Sequence, residues 1–170
     1  MDAYKNLPIA AFASVAEWEA WLSANQDAPG IWMQYAKKGS GTATITCEES
    51  RDLAIAYGWI DGLLNTYDQT NYLRRFTPRA RKSGWSKVNC AVAEKLVAEG
   101  QMQPAGLAQG EAAKADGRWE RAYDSQSTLQ VPNDFQAALD AVPNAAAFFA
   151  ILGATARYPF LYSLQTLFCL

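Results

Sequence analysis

The sequence predicts an α+β fold: a small, mainly antiparallel sheet in the first half of the chain, packed helices, and a helical C-terminal part. Three observations point there. Strand-like runs are confined to the first half, at residues 7–13, 31–36, 59–67 and 71–77. Helix signals fill the second half, from Ser86 onward. Half of the 170 residues are apolar and six are tryptophan, which supplies a real core and suits one domain or one domain with a small appendage.

Leu7-Pro8-Ile9-Ala10-Ala11-Phe12-Ala13 is apolar but short and holds a proline, so it reads as the first strand of the fold and not as an export signal. Ser14 with Glu17 forms a capping box, and Val15, Trp18 and Leu22 recur at helical spacing, which predicts a helix over Ser14 to Asn25. Pro29-Gly30 breaks the chain. Ile31 to Ala36 reads as a strand, ended by the charged turn Lys37-Lys38-Gly39-Ser40-Gly41. That turn lacks the spacing and the Gly-Lys-Ser/Thr ending of a phosphate-binding loop. Thr42 to Thr46 is short and β-prone. Thr46 with Glu49 repeats the capping box, so a helix follows to Tyr57, and Gly58 suits a left-handed stop.

Trp59 to Tyr67 and Asn71 to Thr77 predict two strands around the turn Asp68-Gln69-Thr70-Asn71, with Tyr72, Arg74 and Phe76 on one face and Leu73 and Arg75 on the other. Arg79 to Gly84 is a cationic loop. Ser86 is an N-cap for a helix to Glu99, with Val88, Val92 and Leu96 as its apolar stripe, closed by Gly100. Pro104 starts a further helix that ends near Gly117, where Asp116 and Gly117 suit a helix end and Trp119 a core plug. The polar run Arg118 to Gln130 is a candidate linker, and Pro132 and Pro143 sit at first-turn positions of two short helices. The expected organisation is an α+β domain over residues 1–125 and a helical C-terminal segment over 126–170.

Composition narrows the function classes. The formal charge is −2 and the pI near 5.2, which argues against a general nucleic-acid or membrane binder. The chain has no histidine, which removes Ser-His-Asp and Cys-His catalysis and most zinc and iron sites, and no cofactor is implied. Cys47, Cys90 and Cys169 are odd in number and far apart, so a disulfide framework is not expected, and a reduced cytoplasmic setting is. No stretch approaches the roughly 20 apolar residues of a membrane helix.

Charge is unevenly placed. Between Gln69 and Ala93 lie six cations (Arg74, Arg75, Arg79, Arg81, Lys82 and Lys87) and no acid, so the rest of the chain carries −8. Tryptophans flank this arm, at Trp59 and Trp85.

Four motifs occur in order: Gly58-Trp59-Ile60-Asp61, Phe76-Thr77-Pro78-Arg79, Ser83-x-Trp85-Ser86-Lys87-x-Asn89 and Gly100-Gln101-Met102-x-Pro104-Ala105-Gly106. In these the chain resembles the YdeI/OmpD-associated, or bacteriocin-protection, family, from about Phe12 to about Tyr162. The resemblance implies a bacterial protein of antimicrobial-peptide tolerance and envelope stress, and an association with an outer-membrane porin. It supplies no catalytic residues. Relatives usually continue with a basic C-terminal helix, whereas here no charge follows Arg157, and Phe160, Leu161, Leu164, Leu167 and Phe168 would form an apolar stripe. A homo-oligomer through residues 160–170 is one expected consequence.

The expected site is a basic-aromatic surface. Trp59 and Trp85 would floor it, and Arg74, Arg79, Arg81, Lys82 and Lys87 would surround it. Ser86 and Asn89 would add the start of a helix, where amides and the helix dipole favour an anion. Asp61 would orient an arginine or simply form a structural ion pair with Arg74, Arg75 or Arg79 across the hairpin, the second reading being favoured. The primary expectation is a non-enzymatic protein that takes an anionic small molecule or an acidic protein partner. The alternatives are an enzyme in which Asp61 is acid or base and arginines stabilise negative charge, and an interaction module using the apolar C-terminal helix. The lone cysteines read as small buried residues.

Overall fold

The computed structural model describes residues 3–126 and 128–167. It is α+β, with one five-stranded sheet in the first half and a helical second half. The strands are β1 (Ala3–Tyr4), β2 (Leu7–Ala11), β3 (Ile31–Ala36), β4 (Trp59–Thr66) and β5 (Asn71–Pro78), in the spatial order β1-β2-β3-β5-β4. All neighbours are antiparallel except β2 and β3. That parallel pair is possible because helix α1 (Val15–Ala24) provides the crossover between them. Lys5 and Asn6, both at positive φ, make the tight turn that folds β1 back on β2.

The seven helices of the described residues follow the local signals closely. Ser14 caps α1 by accepting from Glu17 N, while Glu17 reaches back to the amide of Ala13 and not to that of Ser14. Thr46 and Glu49 form a complete capping box on α2 (Cys47–Ala56). Gly58, at φ 77°, stops that helix. Ser86 caps α3 (Lys87–Ala98) by accepting from Asn89 N. Pro104 opens α4 (Pro104–Ala115), and Pro143 opens α6 (Pro143–Ile151). Pro132 sits one step earlier than expected, as the N-cap of α5 (Asn133–Asp140). The last helix, α7 (Ala154–Leu167), carries Pro159 inside it.

Three expectations change. Residues 42–46 form no strand. Their backbone runs irregularly to the Thr46 cap, and the segment is held by the buried Ile45, whose amide donates to Phe12 O at 3.1 Å. The buried face of α3 is Asn89, Cys90, Ala93 and Leu96, while Val88 is 38% exposed. The reason is that Ser86 is pinned by a bridge to Tyr123, which sets the helix phase, and the small Cys90 and Ala93 side chains allow α2 to approach. The start of the candidate linker is tied down, since Trp119 packs on Trp85 with ring centroids 4.9 Å apart and Tyr123 N donates to Trp85 O at 3.0 Å.

The sheet buries both faces. Trp18, Met33, Tyr35, Trp59 and Phe76 fill the main core beneath the helices, and Ile9, Trp32 and Leu73 form a smaller cluster on the other face. A third cluster, around Leu139, Phe149 and Leu161, belongs to residues 129–164. A buried polar thread crosses the main core. The Tyr35 and Ser50 hydroxyls share a 2.5 Å hydrogen bond, and Trp18 Nε1 donates to Ser50 O at 3.0 Å. Burial pushes the Tyr35 hydroxyl well above the usual phenol range. Among the described residues, no helix is long and apolar enough to cross a membrane. In the apolar stripe of α7, Leu161 is buried and Leu164 half-buried in the third cluster, while Phe160 is 51% exposed. Residues 168–170, with Phe168 and Cys169, lie outside the described residues.

Candidate functional site

A polar cleft of about 700 Å³ opens beside the β4–β5 hairpin. Its walls come from the start of α2 (Glu48 and Arg51), from β4 and β5 (Asp61 and Arg74) and from the start of α3 (Ser86, Val88 and Asn89). Tyr123, Ser125, Gln126 and Tyr158 of α7 close the remaining side.

Sheet geometry explains the floor. Asp61 follows Trp59 by two residues, so both point to the helix-covered face of β4, Trp59 into the core and Asp61 toward the rim. The β4–β5 ladder shifts register between Asp61 and Leu64, where Gly62 and Leu63 form an irregularity. Arg74 Nη1 donates to Asp61 Oδ2 across the hairpin, and Arg74 Nε is buried without an acceptor among the described residues. The expected orientation of an arginine by Asp61 is thus present, with Arg74 as that arginine.

Helix α3 presents its first turn to the cleft. The Ser86 hydroxyl is spent on Asn89 N, and Lys87 N donates to Tyr123 O at 2.9 Å. The Lys87 side chain turns away and pairs with Asp124 at 2.9 Å, and Asp124 also accepts from Gln165 of α7. These bonds hold the Asp124 carboxyl below the usual carboxylate range, the Lys87 bond being the larger cause and the Gln165 bond the next. Tyr123, on the cleft wall, is pushed up to about 12 by burial and by the neighbouring tyrosines Tyr162 and Tyr158. At neutral pH it is a hydroxyl able to donate and accept.

The residues expected to share one surface are divided by the fold. Asp61, Arg74, Ser86 and Asn89 meet in the cleft. Trp59 and Trp85 are buried in the main core, so neither tryptophan provides an exposed floor. Arg79 is 5% exposed, with its guanidinium 3.6 Å from the centroid of the Trp85 ring. Arg79 Nη1 donates to Gly84 O, while Nε and Nη2 have no acceptor among the described residues. Burial brings its pKa down to about 10. Arg81 and Lys82 lie at the tip of a turn and face a different hollow, with Arg118 and Arg121. Lys87 is engaged with Asp124 outside the cleft lining.

Several cleft residues were not singled out from the sequence. Tyr123, Gln126 and Tyr158 are far from the basic arm in the chain and carry no local motif. Arg51, paired with Asp52 at 2.6 Å, lay inside an ordinary helix pattern.

Residues 10–109, which hold β3, β4, β5, α1, α2, α3 and most of the cleft wall, match a family of domains of unknown function, DUF8412. The chain belongs to the DUF8412 family. Residues 128–167, the α5–α7 part, match a second family model, described as bacteriocin-protection, YdeI or OmpD-associated. The resemblance to that family is therefore shown, but its match lies in the C-terminal helices and not over the four motifs, which fall in the DUF8412 segment. No curated protein and no solved structure matches the chain. The cleft joins the two matched segments, since DUF8412 residues provide Asp61, Arg74 and Asn89, and the second segment provides Tyr158.

Proposed function

We propose that this protein binds a small anionic molecule in the Asp61–Arg74 cleft, without turning it over, as part of bacterial tolerance to antimicrobial peptides and from within the cytoplasm. The observation that carries the reading is the convergence of Arg74, the start of α3, Tyr123 and Tyr158 on one cleft of about 700 Å³. Arg74 offers a fixed guanidinium with Asp61 as its aligner, and a carboxylate or phosphate suits that fork. The helix start favours negative charge. The volume suits a metabolite-sized ligand. The tolerance context rests on the match of residues 128–167 to the bacteriocin-protection family.

The test is a thermal-shift panel of small carboxylates and phosphates at low and high salt. A ligand of this cleft raises the melting temperature, and Arg74→Ala weakens its binding about tenfold or more, the loss of one charge-assisted hydrogen bond. A panel with no shifts, or a ligand indifferent to Arg74→Ala, overturns the reading. Asp61 lines the same cleft, which supports a second reading with Asp61 as an acid or base. Under that reading Asp61→Asn abolishes turnover of the bound ligand while binding survives.

A further inference from the structure

Arg81 and Lys82 have no part in the cleft, and their surroundings define a different place. They stand at the tip of a turn closed by Ser83 N donating to Ala80 O at 2.9 Å and Ala80 N donating to Ser83 Oγ at 3.1 Å. Both are exposed, and neither has an ion-pair or hydrogen-bond partner among the described residues. They line a hollow of about 480 Å³ with Arg118, Arg121 and Asp116. None of these five residues lines the cleft.

The opposing wall is organised. Gly117 adopts φ 77° and turns the chain sharply after α4. A Cβ there would lie 2.7 Å from Arg121 Nη1, so only glycine lets that guanidinium fold over the turn. Arg121 Nη2 then donates to Asp116 O at 3.0 Å. Arg118 is fixed at both ends of its fork, Nε donating to the Asp116 carboxylate at 2.8 Å and Nη1 to Ser83 O at 2.8 Å. Asp116, the hollow's one acid, is thereby neutralised by Arg118, leaving Arg81, Lys82 and Arg121 uncompensated.

The surface also continues inward. A smaller hollow of about 140 Å³ shares Lys82, Arg118 and Arg121 and reaches Trp85, Tyr162 and Gln165. Stacked on Trp85 is the buried Arg79, and three nitrogens of this pair, Arg79 Nε and Nη2 and Trp85 Nε1, have no acceptor among the described residues. A buried guanidinium without a carboxylate partner adds positive potential behind the floor.

We propose that the Arg81–Lys82 turn and the Arg118–Arg121 turn together form a second anion site, for a ligand that presents two or more phosphate groups side by side, on one molecule or as neighbouring lipid headgroups. Clustered like charges repel unless something anionic lies among them, and several cations around one hollow suit a ligand that carries several negative charges. The site is independent of the cleft and of the reading given to it.

Titration calorimetry with tripolyphosphate, together with co-sedimentation on phosphatidylglycerol vesicles against phosphatidylcholine vesicles, tests this. Lys82→Glu and Arg121→Glu are compared with Lys38→Glu, which makes the same charge change at an exposed position elsewhere. The expected result is saturable, salt-sensitive binding that falls at least tenfold in Lys82→Glu and Arg121→Glu and less than twofold in Lys38→Glu. Arg81 and Lys82 touch no partner, so loss in Lys82→Glu is not a folding defect, and circular dichroism checks Arg121→Glu. Binding of tripolyphosphate identifies free phosphates as the ligand class, and binding of the anionic vesicles alone identifies lipid headgroups. No saturable binding to either probe, or equal losses in all three variants, overturns the proposal.

Discussion

Arg79 is charged and 95% withdrawn from solvent, yet it has no carboxylate against it, with 5% of its surface exposed. Its favourable contacts are the Trp85 face and Gly84 O. Desolvation dominates, as the fall of its pKa to about 10 indicates. Such a group holds its place by packing as much as by charge. Arg79→Met keeps the stem on Trp85 and removes the buried charge, so its unfolding free energy should stay within about 1 kcal/mol of the parent or rise. Arg79→Ala leaves a cavity and should cost about 2 kcal/mol or more. Urea denaturation of both variants measures the difference. If Met costs as much as Ala, the charge itself holds the loop. The sequence shows Arg79 only as one cation among six, because nothing local distinguishes a buried arginine from an exposed one. Asp61 and Arg74 were easier to pair, since both lie on one predicted hairpin and strand alternation puts them on one face.

At the scale of the element, the crossing of α2 and α4 decides more than any single cap. Gly106 sits where the end of α2 passes. A Cβ there would lie 2.2 Å from Ala56 O and 2.6 Å from Ile55 O. Gly58 faces the same helix, its notional Cβ 2.9 Å from Ala105 O. Gln103 N donates to Ala56 O at 3.2 Å and seals the junction. Gly106→Ala adds one methyl against backbone that cannot step aside, and should destabilise by about 2 kcal/mol, within the usual range for overpacking. Guanidinium melts detect this. Ala would ordinarily favour a helix over Gly by about 1 kcal/mol, so a stabilised variant would contradict the close crossing. The helix starts at Ser14, Thr46 and Ser86 and the stop at Gly58 were legible because a cap is made within four residues. The role of Gly106 was not, because it depends on a helix 50 residues earlier, and the phase of α3 was misjudged because Tyr123, a distant residue, pins its first turn.

At the scale of the whole molecule, the sheet-bearing core and the α5–α7 cluster are joined by a polar seam. Asp124 is central to that seam, bonded to Lys87 of α3 and to Gln165 of α7. Its folded-state pKa lies below its ordinary value of 3.8, so the ionised form favours the folded state. That stability is complete above about pH 4 and drains away as pH falls through the folded value. Lys87 is largely exposed, so the contribution is modest, about 1 kcal/mol. Asp124→Asn should melt below the parent at pH 7, and the two curves should converge toward pH 2. The other carboxylates with lowered values are common to both proteins and cancel in the comparison. Melting temperatures that stay equally separated across the range would remove Asp124 from the seam. The α+β class was legible at this scale from the segregation of strand and helix signals, but the parallel β2–β3 pairing and the shared walls of the cleft were not, as both depend on contacts between distant segments.

The distribution of tryptophan along the chain has an optical consequence. All six lie at or before residue 119, and four of them (Trp18, Trp32, Trp59 and Trp85) are fully buried in the sheet-bearing part. The α5–α7 cluster is built from phenylalanine and leucine, with Tyr158 and Tyr162 beside it. Indole emission therefore reports mainly the opening of the sheet, with Trp85 alone sharing a hollow with Tyr162 and Gln165 of α7, whereas release of the C-terminal helices registers chiefly in far-ultraviolet ellipticity. Where the seam at Asp124 yields first, the two signals separate, and the gap between them reads the hold of one cluster on the other.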